Sequence, residues 1–231
     1  MANESEYIEV ATATTNTTEG SNIDVHIIKD KPPICPNMTD SQFRELVMRC
    51  RDGALTLIEE RQLQLDKWSK EERDRAKKWL GRSDENIRSI LMRGLPKLHS
   101  AMSELKPENI FRFSEDAQHN VSCIPVANYQ NTEASVCKPD SARRQISIYP
   151  KFCTLPDANL FENCKIKALI HECTHYTDVF DSEDLVYATS SLGLAIWVRN
   201  NQDRAFRNAD SITAYISHDE ARRLWWSRIY E

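Results

Sequence analysis

The first half of the chain repeats apolar residues with the period of a helix. An amphipathic helix is predicted from one apolar face, made of Phe43, Leu46, Val47, Cys50, Ala54, Leu57, Ile58 and Leu65. The segment Thr39-Asp40-Ser41-Gln42 matches a capping box and marks the start of this helix. A second helix is predicted further on, with Ser83 as its N-cap and Pro96 kinking or breaking it. The pattern therefore predicts a helical part over about residues 39–106.

The pattern changes between residues 110 and 155, where proline, asparagine and short β-branched runs predict a small β-sheet or hairpin. Its clearest strand is Gln145-Ile146-Ser147-Ile148-Tyr149. Helical spacing returns over about residues 158–218, and the run from Leu160 to Ile170 is apolar enough to predict a buried helix. Several helices with one small sheet favour an α+β, mainly helical fold.

The two ends of the chain are predicted to differ in structure. Residues 1–33 are polar and rich in threonine, which is typical of a flexible leader. Residues 34–231 are long enough to bury one hydrophobic core, so we expect a single domain there. The amphipathic segment over residues 222–230 is expected to dock on that domain.

The sequence His171-Glu172-Cys173-Thr174-His175 has the HExxH spacing of zinc hydrolases. Histidines four residues apart lie on one face of a helix, so both rings can bind one metal ion. Glu172 beside them suits the role of general base toward a water molecule. A third protein ligand is needed, and Asp184 is the candidate. In the alternative interpretation Asp184 is an ordinary carboxylate in the first turn of a helix over residues 185–197, capped by Asp181.

These residues resemble the aspzincin metalloendopeptidases, which include deuterolysins and lysine-specific peptidases. Asp184 and Tyr187 match the spacing of the family's second motif, although the glycines and the threonine of that motif are absent. Asn208-Ala209-Asp210 matches a downstream element, and looser similarities extend the resemblance over about residues 34–218. The resemblance implies a zincin-like metallopeptidase domain with an HExxH active-site helix and a small β-sheet.

The resemblance also implies roles for individual residues. One Zn²⁺ ion would be held by His171, His175 and Asp184. Glu172 would be the general base, and Tyr187 would donate a hydrogen bond to the oxyanion. The expected activity is hydrolysis of peptide bonds by a metal-activated water.

The resemblance makes Asp210 and Thr213 the candidate substrate-binding residues. Acidic residues near this position bind lysine in the lysine-specific members of the family, but Thr213 stands here where a second acid is expected. One carboxylate discriminates less strongly than two, so strict lysine specificity is not expected. The alternative is that Asp210 is a structural hydrogen-bonding residue below the site.

The composition and charge of the chain limit the classes of partner that it can bind. The formal net charge is −5 with both signs interspersed, which argues against nucleic-acid binding. No apolar stretch reaches the roughly 20 residues of a membrane span, and the acidic, polar start is unlike a Sec-type signal peptide. The expected partner is a polypeptide or a peptidoglycan peptide, with a cognate inhibitor or a secretion machine as further candidates.

Seven cysteines are many for a cytosolic enzyme and predict disulfide bonds. The family resemblance implies a bridge between Cys35 and Cys123. A second bridge would use cysteines from the set Cys137, Cys153 and Cys164, with the partners left open. Cys50 is predicted to be a buried free thiol on the apolar face of its helix. Cys173 lies about 200° around the helix from His171 and is predicted to pack inward rather than bind metal.

Disulfides predict a protein that is secreted or delivered outside the producing cell, with a cytoplasmic location as the alternative. The main hypothesis is a zinc metalloendopeptidase that acts as a secreted or injected effector or toxin. One alternative keeps the chemistry but takes peptide cross-links of the bacterial cell wall as substrate. An alternative of another class is a zinc-containing binding or toxin module without proteolytic activity.

Overall fold

A computed structural model describes residues 7–14, 22–28, 34–113, 122–123, 129–159, 161–188 and 190–218, of which the first two stretches are described by their backbone alone. The α-helices in these stretches are α1 (Asp40–Lys67), α2 (Lys70–Leu80), α3 (Glu85–Glu104), α4 (Pro150–Thr154), α5 (Lys165–Thr174), α6 (Ser191–Asn200) and α7 (Ala209–Ser217). The strands are β1 (Tyr7–Thr14), β2 (Asn22–Ile28), β3 (Ile110–Arg112), β4 (Ala134–Ser135) and β5 (Ile146–Ile148). Short 3-10 helices cover Pro107–Asn109, Tyr129–Asn131, Lys138–Arg143 and Ala205–Arg207. The predicted mainly helical fold with a small sheet is confirmed.

The start of α1 is the predicted capping box. Thr39 Oγ1 accepts a hydrogen bond from the backbone N–H of Gln42 at 3.2 Å, and Gln42 Oε1 accepts one from the N–H of Thr39 at 2.9 Å. The start of α3 differs from the prediction by one residue, because the Asp84 carboxylate, and not Ser83, accepts the N–H of Ile87. Pro96 lies inside α3 without ending it. Packing of α3 on α1 buries Leu95 and Leu98 on the inner face beside Pro96, and this burial offsets the backbone hydrogen bond that proline cannot make.

The three-stranded sheet has the order β3-β5-β4. Strand β5 is central, parallel to β3 and antiparallel to β4, and its register pairs Ile146 with Ile110 and Ile148 with both Arg112 and Ala134. Separately, β1 and β2 pair as an antiparallel hairpin within the segment predicted to be a flexible leader. The polar, threonine-rich composition of this segment does not predict the pairing.

The helix after the HExxH segment begins later than predicted. It is α6, which starts at Ser191 with Ser190 as its cap, so Asp181 caps no helix and Asp184 lies in a loop. The amide groups that would have opened the predicted helix are hydrogen bonded elsewhere. Asn208 Oδ1 accepts the N–H groups of residues 185 and 186, at 2.9 and 3.1 Å. The predicted helix over residues 185–197 was therefore wrong in its first six residues.

Disulfides join Cys35 to Cys153 and Cys123 to Cys137. The bridge from Cys35 to Cys123 that the resemblance implied is wrong, because α4 places Cys153 beside Cys35, with their Cα atoms 5.2 Å apart. The predicted buried free thiol of Cys50 and the predicted inward packing of Cys173 are confirmed, and the thiols of Cys173 and Cys164 are also free and buried.

Helix α5 lies at the centre of the domain, in contact with α1, α3, α7 and β4. Its inner face is buried at Leu169, Ile170 and Cys173. Within the described residues no helix is both long and apolar enough to cross a bilayer. The segment over residues 222–230, predicted to dock on the domain, lies outside the described residues.

Candidate active site

The two motif histidines lie at the end of α5, on the face opposite its buried apolar side. His171 is in the last turn of the helix and His175 is its C-cap residue. A cavity of about 720 Å³ opens over this face. Both histidines line the cavity, together with Glu172, Asp184 and Tyr187. The HExxH segment and the two residues of the predicted second motif therefore meet in one place.

Three ligand atoms converge in this cavity. Asp184 Oδ1 lies 3.1 Å from His171 Nε2 and 3.3 Å from His175 Nε2. All three atoms fall within 4.8 Å of one another. Ligand atoms about 2.0–2.1 Å from a tetrahedral zinc ion are separated by about 3.3 Å, which these two distances match. The donor set of two imidazoles and one carboxylate also suits zinc, and it leaves a fourth position open.

Hydrogen bonds behind the histidines set which nitrogen faces the cluster. His171 Nδ1 lies 2.8 Å from Asp210 Oδ1, and His175 Nδ1 lies 3.0 Å from the carbonyl oxygen of Ser182. A carboxylate and a carbonyl can only accept, so each Nδ1 carries the proton and donates it. Each Nε2 then keeps its lone pair for a metal ion, which is the usual outer hydrogen bonding of metal-binding histidines. The residues present therefore fit a zinc ion.

The loop that carries Asp184 is fixed to the start of α7. Glu183 donates its N–H to the carbonyl of Arg207 at 2.8 Å and accepts the N–H of Ala209 at 2.9 Å. Asp210 Oδ2 accepts the N–H of Ala188 at 2.8 Å. These long-range contacts hold Asp184 over the end of α5, although no helix positions it.

Burial and charge shape the carboxylates of the site. Burial raises the pKa of Glu172, which is 6 % exposed, while His171 and His175 act in the opposite direction. Burial alone would also raise the pKa of Asp184. When both imidazoles are fully protonated, their Nε2–H groups donate to Asp184, outweigh that effect and hold the pKa of Asp184 well below its usual value; a metal ion would take the place of these two protons. Asp184 is thus an anion at neutral pH, as a metal ligand must be.

Tyr187 lies at the open side of the cluster. Its side chain is 70 % exposed, and its hydroxyl donates to Asp184 Oδ2 at 2.6 Å. Partial burial of the hydroxyl, followed by the hydrogen bond to Asp184, raises the pKa of Tyr187. The phenol therefore stays protonated at neutral pH and can donate but not act as a base.

The two predicted substrate-binding residues differ in their surroundings. Both oxygens of Asp210 are engaged, one by His171 and one by the backbone of Ala188. Thr213 also lines the cavity, but its hydroxyl is buried without a hydrogen-bond partner among the described residues. Asp210 thus makes structural hydrogen bonds to His171 and to the backbone of Ala188.

Sequence reasoning missed three residues of the site. The carbonyl of Ser182 orients His175, the side chain of Asn208 holds the loop, and Lys167 lines the cavity. Lys167 stands four residues before His171, so helical spacing could have found it. No local sequence pattern predicts the roles of Ser182 and Asn208, because each acts through a tertiary contact.

The fold and the site together define a mainly helical metal-dependent hydrolase. A family model described as lysine-specific metallo-endopeptidase, of the aspzincin group, matches residues 66–217. The chain belongs to this family and is a zinc metalloendopeptidase.

A zinc peptidase from Grifola frondosa has a similar fold, with a TM-score of 0.58. The two sequences are 15 % identical, and the match covers 77 % of this chain and 95 % of the other. A comparison with curated proteins gave no match. The predicted family and enzyme class are confirmed.

Proposed function

We propose that this metalloendopeptidase hydrolyses peptide bonds at one zinc ion held by His171, His175 and Asp184, with Glu172 as the general base. The observation that carries the proposal is the convergence of the three ligand atoms with both Nδ1 protons already donated elsewhere. When bound, zinc supplies a Lewis acid that polarises the scissile carbonyl and makes water more acidic.

Glu172 lies between the two histidines in sequence and lines the same cavity. Its carboxylate takes the proton from the attacking water and returns it to the leaving amine. The burial that raises its pKa makes it a stronger base than an exposed glutamate.

Tyr187 is proposed to stabilise the oxyanion. Its hydroxyl donates to Asp184 in the absence of substrate, and its exposed ring can turn about its own bonds. Redirecting the O–H from Asp184 to the substrate oxygen would place a donor where negative charge develops. This role requires the proton that the raised pKa of Tyr187 retains.

The test compares wild type with Glu172→Gln, measuring zinc content and cleavage of casein. We expect about one zinc ion per chain in both proteins and a loss of at least about 100-fold in cleavage in the variant, the scale of a lost general base. Glu45→Gln, at an exposed position on α1, is the matched control and should cleave as wild type does.

A wild type that takes up no zinc would refute the proposal. Zinc binding without casein cleavage by the wild type would favour the two alternatives, the cell-wall hydrolase and the binding module. Purified sacculi then separate those two, since only the first alternative predicts release of peptide fragments.

We also propose that the protein acts in an oxidising compartment outside the producing cell. The two disulfides support this, because such bonds are rare in reducing cytosol. Mass spectrometry of the non-reduced protein should find four cysteines oxidised, and seven free thiols would contradict the proposal. Delivery as an injected effector or toxin stays a prediction.

A further inference from the structure

A second pair of side chains lines the same cavity, one about a helical turn from the zinc ligand His171 and the other about a turn from Asp210, which orients His171. On α5, Lys167 stands four residues before His171, and on α7, Thr213 stands three residues after Asp210. These two helices pack against each other, and all four residues line the cavity. Residues three or four apart share a helix face, about 5 Å apart along the axis. Lys167 and Thr213 therefore border the cavity directly beside the reacting centre.

Lys167 places a positively charged ammonium group in this wall of the cavity. Its ammonium donates one hydrogen bond to the carbonyl of Glu162 at 2.8 Å, which leaves two of its three N–H groups. Burial lowers the pKa of Lys167 to about 8, with opposing effects from Cys164, Glu162 and Asp210. The side chain is thus charged at pH 7 and partly buried, a setting in which an ion pair is stronger than on the open surface.

Thr213 adds an unsatisfied polar group. It is 5 % exposed, and its Oγ1 has no hydrogen-bond partner among the described residues. A buried hydroxyl without a partner costs about 1–3 kcal/mol, which a bound acceptor would recover. Thr213 also lines the cavity, so a turn about its χ1 bond would present this hydroxyl to a bound group that accepts a hydrogen bond.

We propose that Lys167 and Thr213 recognise an acidic substrate side chain next to the cleaved bond. The inference rests on the proposed function, since it assigns a substrate class to the same site. A glutamate carboxylate can accept from the ammonium and from the hydroxyl together. A substrate lysine meets repulsion from Lys167 and finds Asp210 already bound on both oxygens. An apolar side chain would leave both Lys167 and Thr213 desolvated without partners.

The test measures binding and cleavage separately. Pentapeptides that differ only in one central residue, Glu, Gln or Lys, are titrated by calorimetry into zinc-loaded Glu172→Gln. We expect the Glu peptide to bind about tenfold more tightly than the Gln peptide, with the Lys peptide weakest, the scale of one desolvated ion pair. Adding Lys167→Met should remove the difference between Glu and Gln. Adding Lys167→Glu should reverse the order of Glu and Lys.

Lys70→Met is the matched control, because it removes the same charge from an exposed position on α2 and should leave the peptide order unchanged. Thr213→Val, which replaces the hydroxyl by a methyl group, should weaken the Glu and Gln peptides together. The proposal is overturned if the Lys peptide binds as tightly as the Glu peptide, if Lys167→Met keeps the preference, or if no peptide binds.

Cleavage of the same peptides by the wild type tests the proposed function on its own. A wild type that prefers the Glu peptide but cleaves none of the three supports the acidic specificity and contradicts the hydrolase.

Discussion

Asp210→Asn is the most informative change outside the zinc ligands. The aspartate accepts two N–H groups, one from His171 and one from the backbone of Ala188, each at 2.8 Å. An asparagine has the same shape but one acceptor oxygen, so its NH₂ group must face one of the two donors. Either the imidazole loses its orienting acceptor, or the loop that carries Asp184 loses its tie to α7.

The expected magnitude follows from the loss of one charge-assisted hydrogen bond. Such a bond contributes about 1.5–3 kcal/mol, and about 1.4 kcal/mol corresponds to a factor of ten in an equilibrium constant. Zinc affinity should therefore fall about 10- to 100-fold, the range observed for outer hydrogen-bond partners of metal ligands. Cleavage at saturating zinc should fall less than zinc affinity, because Asp210→Asn leaves Glu172 in place.

The assay is competition with a chromogenic chelator at fixed pH, with unfolding temperature measured on the same samples. Asp203→Asn removes the same charge at an exposed position and is the control for net charge. Zinc affinity of Asp210→Asn within about twofold of wild type would refute the assigned role of the aspartate as the residue that orients His171.

Three other outcomes are expected. Gly94→Ala should destabilise the fold by about 1–3 kcal/mol in urea unfolding, because the added Cβ would overlap the ring of Phe180; unchanged stability would contradict this packing. Glu72→Gln should lower the free energy of unfolding by about 3–5 kcal/mol in the same assay, because the buried charge of Arg61 loses the carboxylate that lies 2.6 Å away. A loss below about 1 kcal/mol would show that the pair is not buried in solution. The tighter binding of the Glu peptide than of the Gln peptide should decline as pH rises through about 8, because Lys167 is charged below that pH and loses its charge above it. If the preference stayed constant up to pH 10, another group would be responsible for it.

Much of the helical framework could be predicted from the sequence. The apolar face of α1 and its capping box depend on residues within four positions of each other, so the local pattern is sufficient. The same holds for His171 and His175, whose shared face follows from helical geometry alone. Cys50 was predicted to be a buried free thiol for the same reason, since it lies on the apolar face of its helix.

The start of α6 could not be predicted in this way. Local propensity favours a helix soon after Asp184, yet the chain stays irregular until Ser190. Amide groups in this stretch bond to Asn208 and Asp210, more than twenty residues away. Because tertiary hydrogen bonds already satisfy these amide groups, a helix is not needed to pair them. The same hydrogen bonds hold Asp184 beside the two histidines.

The sequence by itself determined the chemistry that the site can hold, because the identity of the ligands and the spacing of His171 and His175 are local properties. Only the tertiary structure decided that Cys35 pairs with Cys153, that Asp210 supports His171, and that Lys167 borders the cavity. Each of these facts depends on which helices pack together. Packing depends on the free energy of burying whole apolar faces against each other, and that free energy depends on residues far apart in the sequence.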